Sequence, residues 1–381
     1  MAYEALSPRS RERSLFEGDI VMVSHERREA VPIVPYLLNQ ESTPEQILSA
    51  FMPTSEWIFP ASQADLLNQS VTDAMSTVLT TTRDLYLLAQ QSLEGVNWFG
   101  YNDHGPAHIR SVAERVNYLA NRLHIADSPH IIALVAAGGH DLGNLISRDI
   151  HSFISSSVLF RVFPNLLNTP EQAREVRKTI ELHDGLVYDK VVAGLQTQGF
   201  EGEQFISRFR EIAGTPGLLL LIADKTDIGR HRVNRKALSP AAIDRHAHSE
   251  LNLLFETQAV DINPNDGTFN WEIEFSQLVH DVDMPRFAGL VLPADERHLY
   301  ASKRVVVSQD SSEADFNKSI ELLLNKSRSR INIALLSAFA LDQRVQQANI
   351  IIHQINSQGE REEYILNMRR EEFVAYMLEQ T

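Results

Sequence analysis

Between residues 131 and 141 the chain reads IIALVAAGGHD, an unbroken apolar and small-residue run that ends on two ionisable side chains. A helix that is apolar on every side belongs inside a core, so this run fixes one element at the centre of a helical domain. It also carries His140 and Asp141 into that core. Burying two such groups without partners costs several kcal/mol. They are therefore expected either to satisfy each other or to face something positively charged.

The flanking sequence supplies more helices. Leu66, Leu67, Val71, Met75, Val78, Leu79, Leu85 and Leu88 recur at helical spacing over residues 62–92. Gly105-Pro106 places proline at a first helical position, and Ile109, Val112, Val116, Leu119, Ala120 and Leu123 form one apolar stripe behind it. Thr169-Pro170-Glu171-Gln172 is a capping box. It opens a helix with Ala173, Val176, Ile180 and His183 on one face and Gly185 as its expected stop. Thr215-Pro216 repeats the start signal ahead of residues 218–223.

Beyond about residue 250 the texture changes. Residues 251–260 and 269–275 read as strands on either side of Asn263-Pro264-Asn265-Asp266-Gly267, a turn sequence. Arg304-Val305-Val306-Val307 is another strand candidate, residues 313–325 a helix and 349–355 a late strand. The expected fold class is mostly α. A partly helical extension covers residues 1–95, a helical domain 96–250, and a smaller, separate α+β domain 251–381.

Bulk properties exclude several roles. A net charge of −15 over 381 residues argues against broad binding of nucleic acid, while leaving room for a small phosphorylated substrate in a locally basic pocket. The absence of cysteine rules out disulfides and thiolate nucleophiles. No apolar stretch approaches the roughly 20 residues a membrane span requires. The first residues carry no apolar signal core, so the expected location is cytoplasmic.

Against this background the chain collects His108, His140, Asp141, His151, His183 and Asp224 at apolar helix faces or helix ends. Any one inward histidine is most simply a hydrogen-bonded core residue. Six imidazoles and carboxylates gathered this way need a shared means of satisfaction, and divalent cations provide one.

The order and flanks of these residues resemble the HD-domain metal-dependent phosphohydrolase superfamily. YNDHGPAHIRSV resembles the first histidine helix of one of its subgroups, and HDLGNLISRDIH the doublet segment with its following arginine and histidine. IELHDG resembles the next histidine helix, and IADKTDIGRHR the closing aspartate with a basic tail. The resemblance spans about residues 101–236. It implies a helical HD-type metal-binding domain in which His108, His140, Asp141 and Asp224 hold one metal. Asp141 would bridge to a second metal held by His151 and His183, or His151 would orient substrate instead. A mixed imidazole and carboxylate set suits manganese, iron, cobalt or zinc, with magnesium also open, better than calcium. One or two divalent ions are implied.

The activity implied is phosphoester hydrolysis by a cation-activated water, with a nucleotide or cyclic-nucleotide substrate favoured. A di-iron oxygenase with the same ligand order, and a non-catalytic sensor or interaction protein, are the alternatives. Arg148, Lys225, Arg230 and Arg232 are candidate phosphate-binding residues. His104 is read as a further metal or substrate ligand or as a loop residue, and Asp184 as a ligand or, preferably, a helix-end acid. Trp98, Phe99 and Tyr101 read as core ahead of nucleobase stacking. The C-terminal part is expected to regulate, to cover substrate or to form a homo-oligomer contact.

Overall fold

The computed structural model describes residues 71–92, 104–145, 151–162, 170–229, 232, 252, 255–275, 328–355 and 361–379. By its contacts the chain divides into two compact units, Met1–Ser55 and Glu56–Thr381. All described residues belong to the second, and they are mostly helical with one small sheet near the C-terminus. The expected strand at 304–307, the expected helix at 313–325 and the aromatic trio at 98–101 lie outside the described residues.

In chain order the helices are α1 (Val71–Ser92), α2 (Pro106–Arg122), α3 (Asp127–Gly139), α4 (His151–Val162), α5 (Pro170–Leu182), α6 (Gly185–Thr197) and α7 (Gly202–Lys225). They are followed by α8 (residues 328–341) and α9 (Arg370–Glu379). A short 3-10 turn, Leu142–Leu145, joins α3 to the segment before α4. The apolar run is the centre of the helical part: every residue of α3 from His130 to Gly139 is buried. It packs against α1, α2, α5 and α7. Gly138 and Gly139 allow that approach, because a Cβ on either would fall 2.1 Å from Val78 or 2.0 Å from Leu159. Burial of each large apolar side chain around it, among them Ile109, Leu119, Phe205 and Phe209, stabilises the fold by about 1.5–3 kcal/mol.

Two glycines behave differently from one another. Gly214 breaks α7 with φ 67° and ψ 163°, a left-handed φ that side-chain-bearing residues rarely adopt. The helix restarts at Thr215-Pro216, as its start signal implied, and Leu218–Ala223 are buried up to Asp224. Gly185, expected to stop a helix, instead begins α6. Asp184 caps that helix by accepting the Leu186 N–H at 2.9 Å.

The sheet has strands β1 (Phe255–Asn263), β2 (Thr268–Phe275), β3 (Gln347–Ile355) and β4 (Arg361–Arg369), in that spatial order. β1 and β2 form an antiparallel hairpin, β2 and β3 run parallel, and β3 and β4 are antiparallel. Val260, Ile262, Phe269, Trp271, Ile273, Ala348, Ile350 and Ile352 are buried, giving one apolar face by period-2 alternation. Three of these strands were expected within a few residues of their ends; β4, α8 and α9 were not. The sheet and the helices share the unit Glu56–Thr381. Tyr118 donates to Asp261 at 3.0 Å, Arg122 to the same carboxylate at 3.1 Å. Buried Arg370 holds Glu203 at the start of α7 with two bonds of 2.6 and 2.7 Å. No helix among the described residues is long and apolar enough to cross a membrane.

Candidate metal centre

The ionisable residues meet where helix ends converge. His108 lies in the first turn of α2 on its buried face. His140 and Asp141 follow α3, His183 follows α5, Asp224 sits in the last turn of α7 and His151 opens α4. Three of these helices point their C-terminal, carbonyl-bearing ends at the same place, which favours a cation there. All six residues are buried.

Asp141 stands at the centre and faces two groups. Its Oδ2 lies 3.3 Å from both His108 Nε2 and His140 Nε2. Those two nitrogens are 3.2 Å apart, and His108 Nε2 is 3.4 Å from Asp224 Oδ1. Its Oδ1 lies 3.6 Å from His151 Nε2 and from His183 Nε2, which are 3.0 Å from each other. Asn144 holds that oxygen through its side-chain amide at 2.7 Å. Ligand atoms about 2.0–2.1 Å from a tetrahedral zinc stand about 3.3 Å apart along each edge, so the first group has the spacing of a coordination shell.

The outer nitrogens explain why the inner ones need a cation. His140 Nδ1 lies 2.8 Å from the Ala137 carbonyl and can only donate to it. His183 Nδ1 does the same with the Ile180 carbonyl, and His108 Nδ1 meets Asp227 Oδ2 at 2.5 Å. Each neutral ring therefore turns a bare Nε2 lone pair inward, and two lone pairs 3.2 Å apart repel. A proton or a metal ion must sit between them. Outer-shell acceptors that fix the tautomer in this way typify metal-binding histidines. The donor set and its outer shell thus fit a divalent cation.

Electrostatics point the same way. Burial and the Arg232 charge push His108 down, yet the carboxylates of Asp141, Asp224 and Asp227 outweigh them and hold it at about 9. Burial pushes Asp141 and Asp224 up. The His104 and His140 charges on Asp141, and Lys225 on Asp224, bring both well below the usual carboxylate range. Burial lowers His183. A cation must displace the His108 proton, so cobalt(II) affinity is expected to rise about tenfold per pH unit up to about pH 9 and then level off. In the metal-free chain the His108 contribution to stability is full below about 6.5 and is lost as pH rises through about 9. The Asp141 and Asp224 contributions are lost at the acid end, as pH falls through their depressed values. Cobalt titrations and thermal melts between about pH 5 and 10 check the slope of metal affinity and the alkaline loss of stability.

His104, for which a loop role was an alternative, reaches the centre: its Nδ1 lies 2.5 Å from Asp141 Oδ2. Asp184, read as a ligand or as a helix-end acid, stands at a helix start. It caps α6, accepts from Ser152 at 3.0 Å and stands 4.0 Å from His151 Nδ1. Lys225 is held by Asp224 Oδ2 at 2.7 Å and by the His183 carbonyl at 2.8 Å. Arg232 is buried, donates to the Asp227 carbonyl at 3.0 Å and lies 3.3 Å from His104 Nδ1. Arg148 and Arg230 lie outside the described residues.

Asp227 was missed. It is fully buried, bonds His108, and accepts from Ser111 at 2.7 Å and from Arg115. Its signal was only its place three residues after Asp224, one turn on, where a carboxylate reads as part of a solvated helix end.

Comparison of the chain with models of protein families, with curated proteins and with solved structures returned no match. The buried histidine and aspartate clusters therefore stand on their geometry alone as sites that could hold a metal ion.

Proposed function

We propose that this protein is a metal-dependent phosphohydrolase acting on the phosphoester of a small anionic substrate, with nucleotides the favoured class. The observation that carries the reading is the Asp141 carboxylate, whose two oxygens each face their own histidine pair. His108, His140, Asp141 and Asp224 would hold one ion, and Asp141, His151 and His183 a second. Such ions supply an acidified water and positive charge opposite the phosphoryl oxygens.

The chain's own residues have distinct parts. Asn144 fixes the Asp141 carboxylate, and Asp227 fixes the ring and tautomer of His108. Arg232 brings a second positive charge beside the first group. Its Nε makes no hydrogen bond among the described residues and stands 3.9 Å from Asp227 Oδ2, and a guanidinium N–H is a donor of the kind that meets a phosphoryl oxygen. Lys225 keeps a further positive charge against Asp224. No cysteine exists to act as nucleophile.

The test is metal quantification on chain purified without chelator, then hydrolysis of an aryl phosphate ester and a nucleotide panel with manganese(II). About two ions per chain and turnover that chelation abolishes are expected. A tightly held di-iron centre with oxygen uptake and no hydrolysis would overturn the reading in favour of oxidation. Bound ions with no turnover of either kind would favour a sensor.

A further inference from the structure

The turn that follows Asp224 is gripped from the C-terminal part of the chain. Arg330, on α8, donates through one guanidinium nitrogen to the Asp224 carbonyl at 3.1 Å and to the Asp227 carbonyl at 3.2 Å. The Thr257 hydroxyl, on β1, donates to the Thr226 carbonyl at 2.6 Å. The Thr257 N–H donates to the Ile228 carbonyl at 3.0 Å. Trp271 on β2, buried, donates its indole N–H to the Thr257 hydroxyl oxygen at 3.1 Å, which leaves the hydroxyl hydrogen for Thr226.

These bonds do the work of a cap. The last carbonyls of a helix lack intrahelical partners and are commonly met by water or by a local glycine turn. After α7 local bonds from the Asp227 N–H to Asp224 and from the Ile228 N–H to Thr226, at 3.1 and 3.0 Å, are joined by donors that lie 31 residues on in the case of Thr257, and 106 and 103 residues on in the case of Arg330. The sheet is shaped for the purpose. Among the described residues β1 is an edge strand, and its register with β2 slips between Thr257 and Ala259. A bulge of this kind re-aims a side chain, and the one re-aimed here meets the turn.

We infer that the α+β part is a positioning element of the metal centre, acting through Arg330 and Thr257 on the turn that presents Asp224 and Asp227. The inference rests on the metal-binding half of the proposed function and not on the substrate. A shift of this turn moves Asp224 Oδ1 away from His108 Nε2 and Asp227 away from His108 Nδ1 together. His151 and His183 are carried by α4 and by the end of α5. Loosening the grip therefore weakens the first cation position selectively.

Cobalt(II) titration of the full chain tests this, using wild type, R330M, R330K, T257V and R122A. Arg122→Ala removes the Arg122–Asp261 pair elsewhere between α2 and β1 and serves as the interface control. Wild type and R122A are expected to bind two ions alike. R330M and T257V are expected to weaken one of them by about tenfold or more, the range for lost outer-shell partners, and to leave the other unmoved. R330K keeps a donor and recovers part of the loss. In an H183A background, where the second group is broken, the remaining ion should show the full R330M effect. Should R330M fail to fold, T257V and R330K carry the same comparison. Wild-type affinities in both R330M and T257V, or an equal loss in R122A, overturn the inference while leaving the metal centre intact. A wild-type chain that binds no cobalt overturns both.

Discussion

Asp141→Ala is expected to empty both cation positions and to lower hydrolysis by about ten-thousandfold or more, at least ~5.5 kcal/mol of transition-state stabilisation. Oδ2 of this one carboxylate lies 3.3 Å from His108 Nε2 and His140 Nε2, and Oδ1 lies 3.6 Å from His151 Nε2 and His183 Nε2. Its removal takes a negative ligand from each group at once. Of the histidines among the described residues Asp224 pairs with His108 and His140, and its other oxygen is held by Lys225, so it cannot replace Asp141 at the second group. Asp141→Asn keeps the shape and loses the charge, and is expected to retain the first ion weakly. His151→Ala is expected to cost one ion only. The metal-to-protein ratio of the three variants distinguishes a bridge from two independent sites. A D141A chain that keeps both ions, or its hydrolysis, would remove the basis of the proposed function.

The same substitution reports on the metal-free state. Asp141 is one of three carboxylates that hold His108 at about 9. Without it, burial and the Arg232 charge act against less opposition. The His108 value is then expected to fall, and with it the alkaline loss of stability moves to lower pH.

What could be read from the sequence follows a physical division. The run from Ile131 to Asp141 announced its own burial because no face of that helix is polar, and the stripes of α2 and α5 announced which side faces it. Histidines on those stripes therefore had to point inward. His104 was harder, because Gly105-Pro106 marks only where α2 begins and says nothing of how the preceding residue bends back to Asp141. Asp227 was illegible for a different reason. Its burial depends on Ser111 and Arg115 from α2, 116 and 112 residues earlier in the chain. The sheet was legible where a turn sequence separates β1 from β2. It was not at β4, REEYILNMR, where the Glu362-Glu363 pair and the exposed Ile365 blur the alternation of Tyr364, Leu366 and Met368. The ties from Arg330 and Thr257 to the turn after Asp224 are backbone-directed and leave no pattern in residue type.

Gly143→Ala tests how the short spacing between Asp141 and His151 is achieved. A Cβ at this position would lie 2.0 Å from the His151 carbonyl oxygen and 2.8 Å from its carbonyl carbon and Cα. These are backbone atoms at the first residue of α4, so no rotamer change relieves the clash. The turn cannot swing away freely either, because the Gly143 N–H donates to buried Ser155 at 2.8 Å. Overpacking costs about 1–3 kcal/mol where side chains can adjust, and backbone opposition puts the expected loss at about 3 kcal/mol or more. A fall in Tm of about 5–10 °C follows. The relief open to the chain is to push α4 outward, which carries His151 away from His183 and Asp141. The second ion is then expected to be lost while the first, on His108, His140 and Asp224, remains. Gly185→Ala is the control: a Cβ there meets nothing within 4 Å, and stability should stay within about 0.5 kcal/mol of wild type. Thermal melts with and without cobalt(II) separate the two effects, since a variant that had lost only general stability would still gain the full metal-dependent rise in Tm. A G143A chain with wild-type Tm and two ions would mean that the turn and α4 are not in the close contact on which the second group depends.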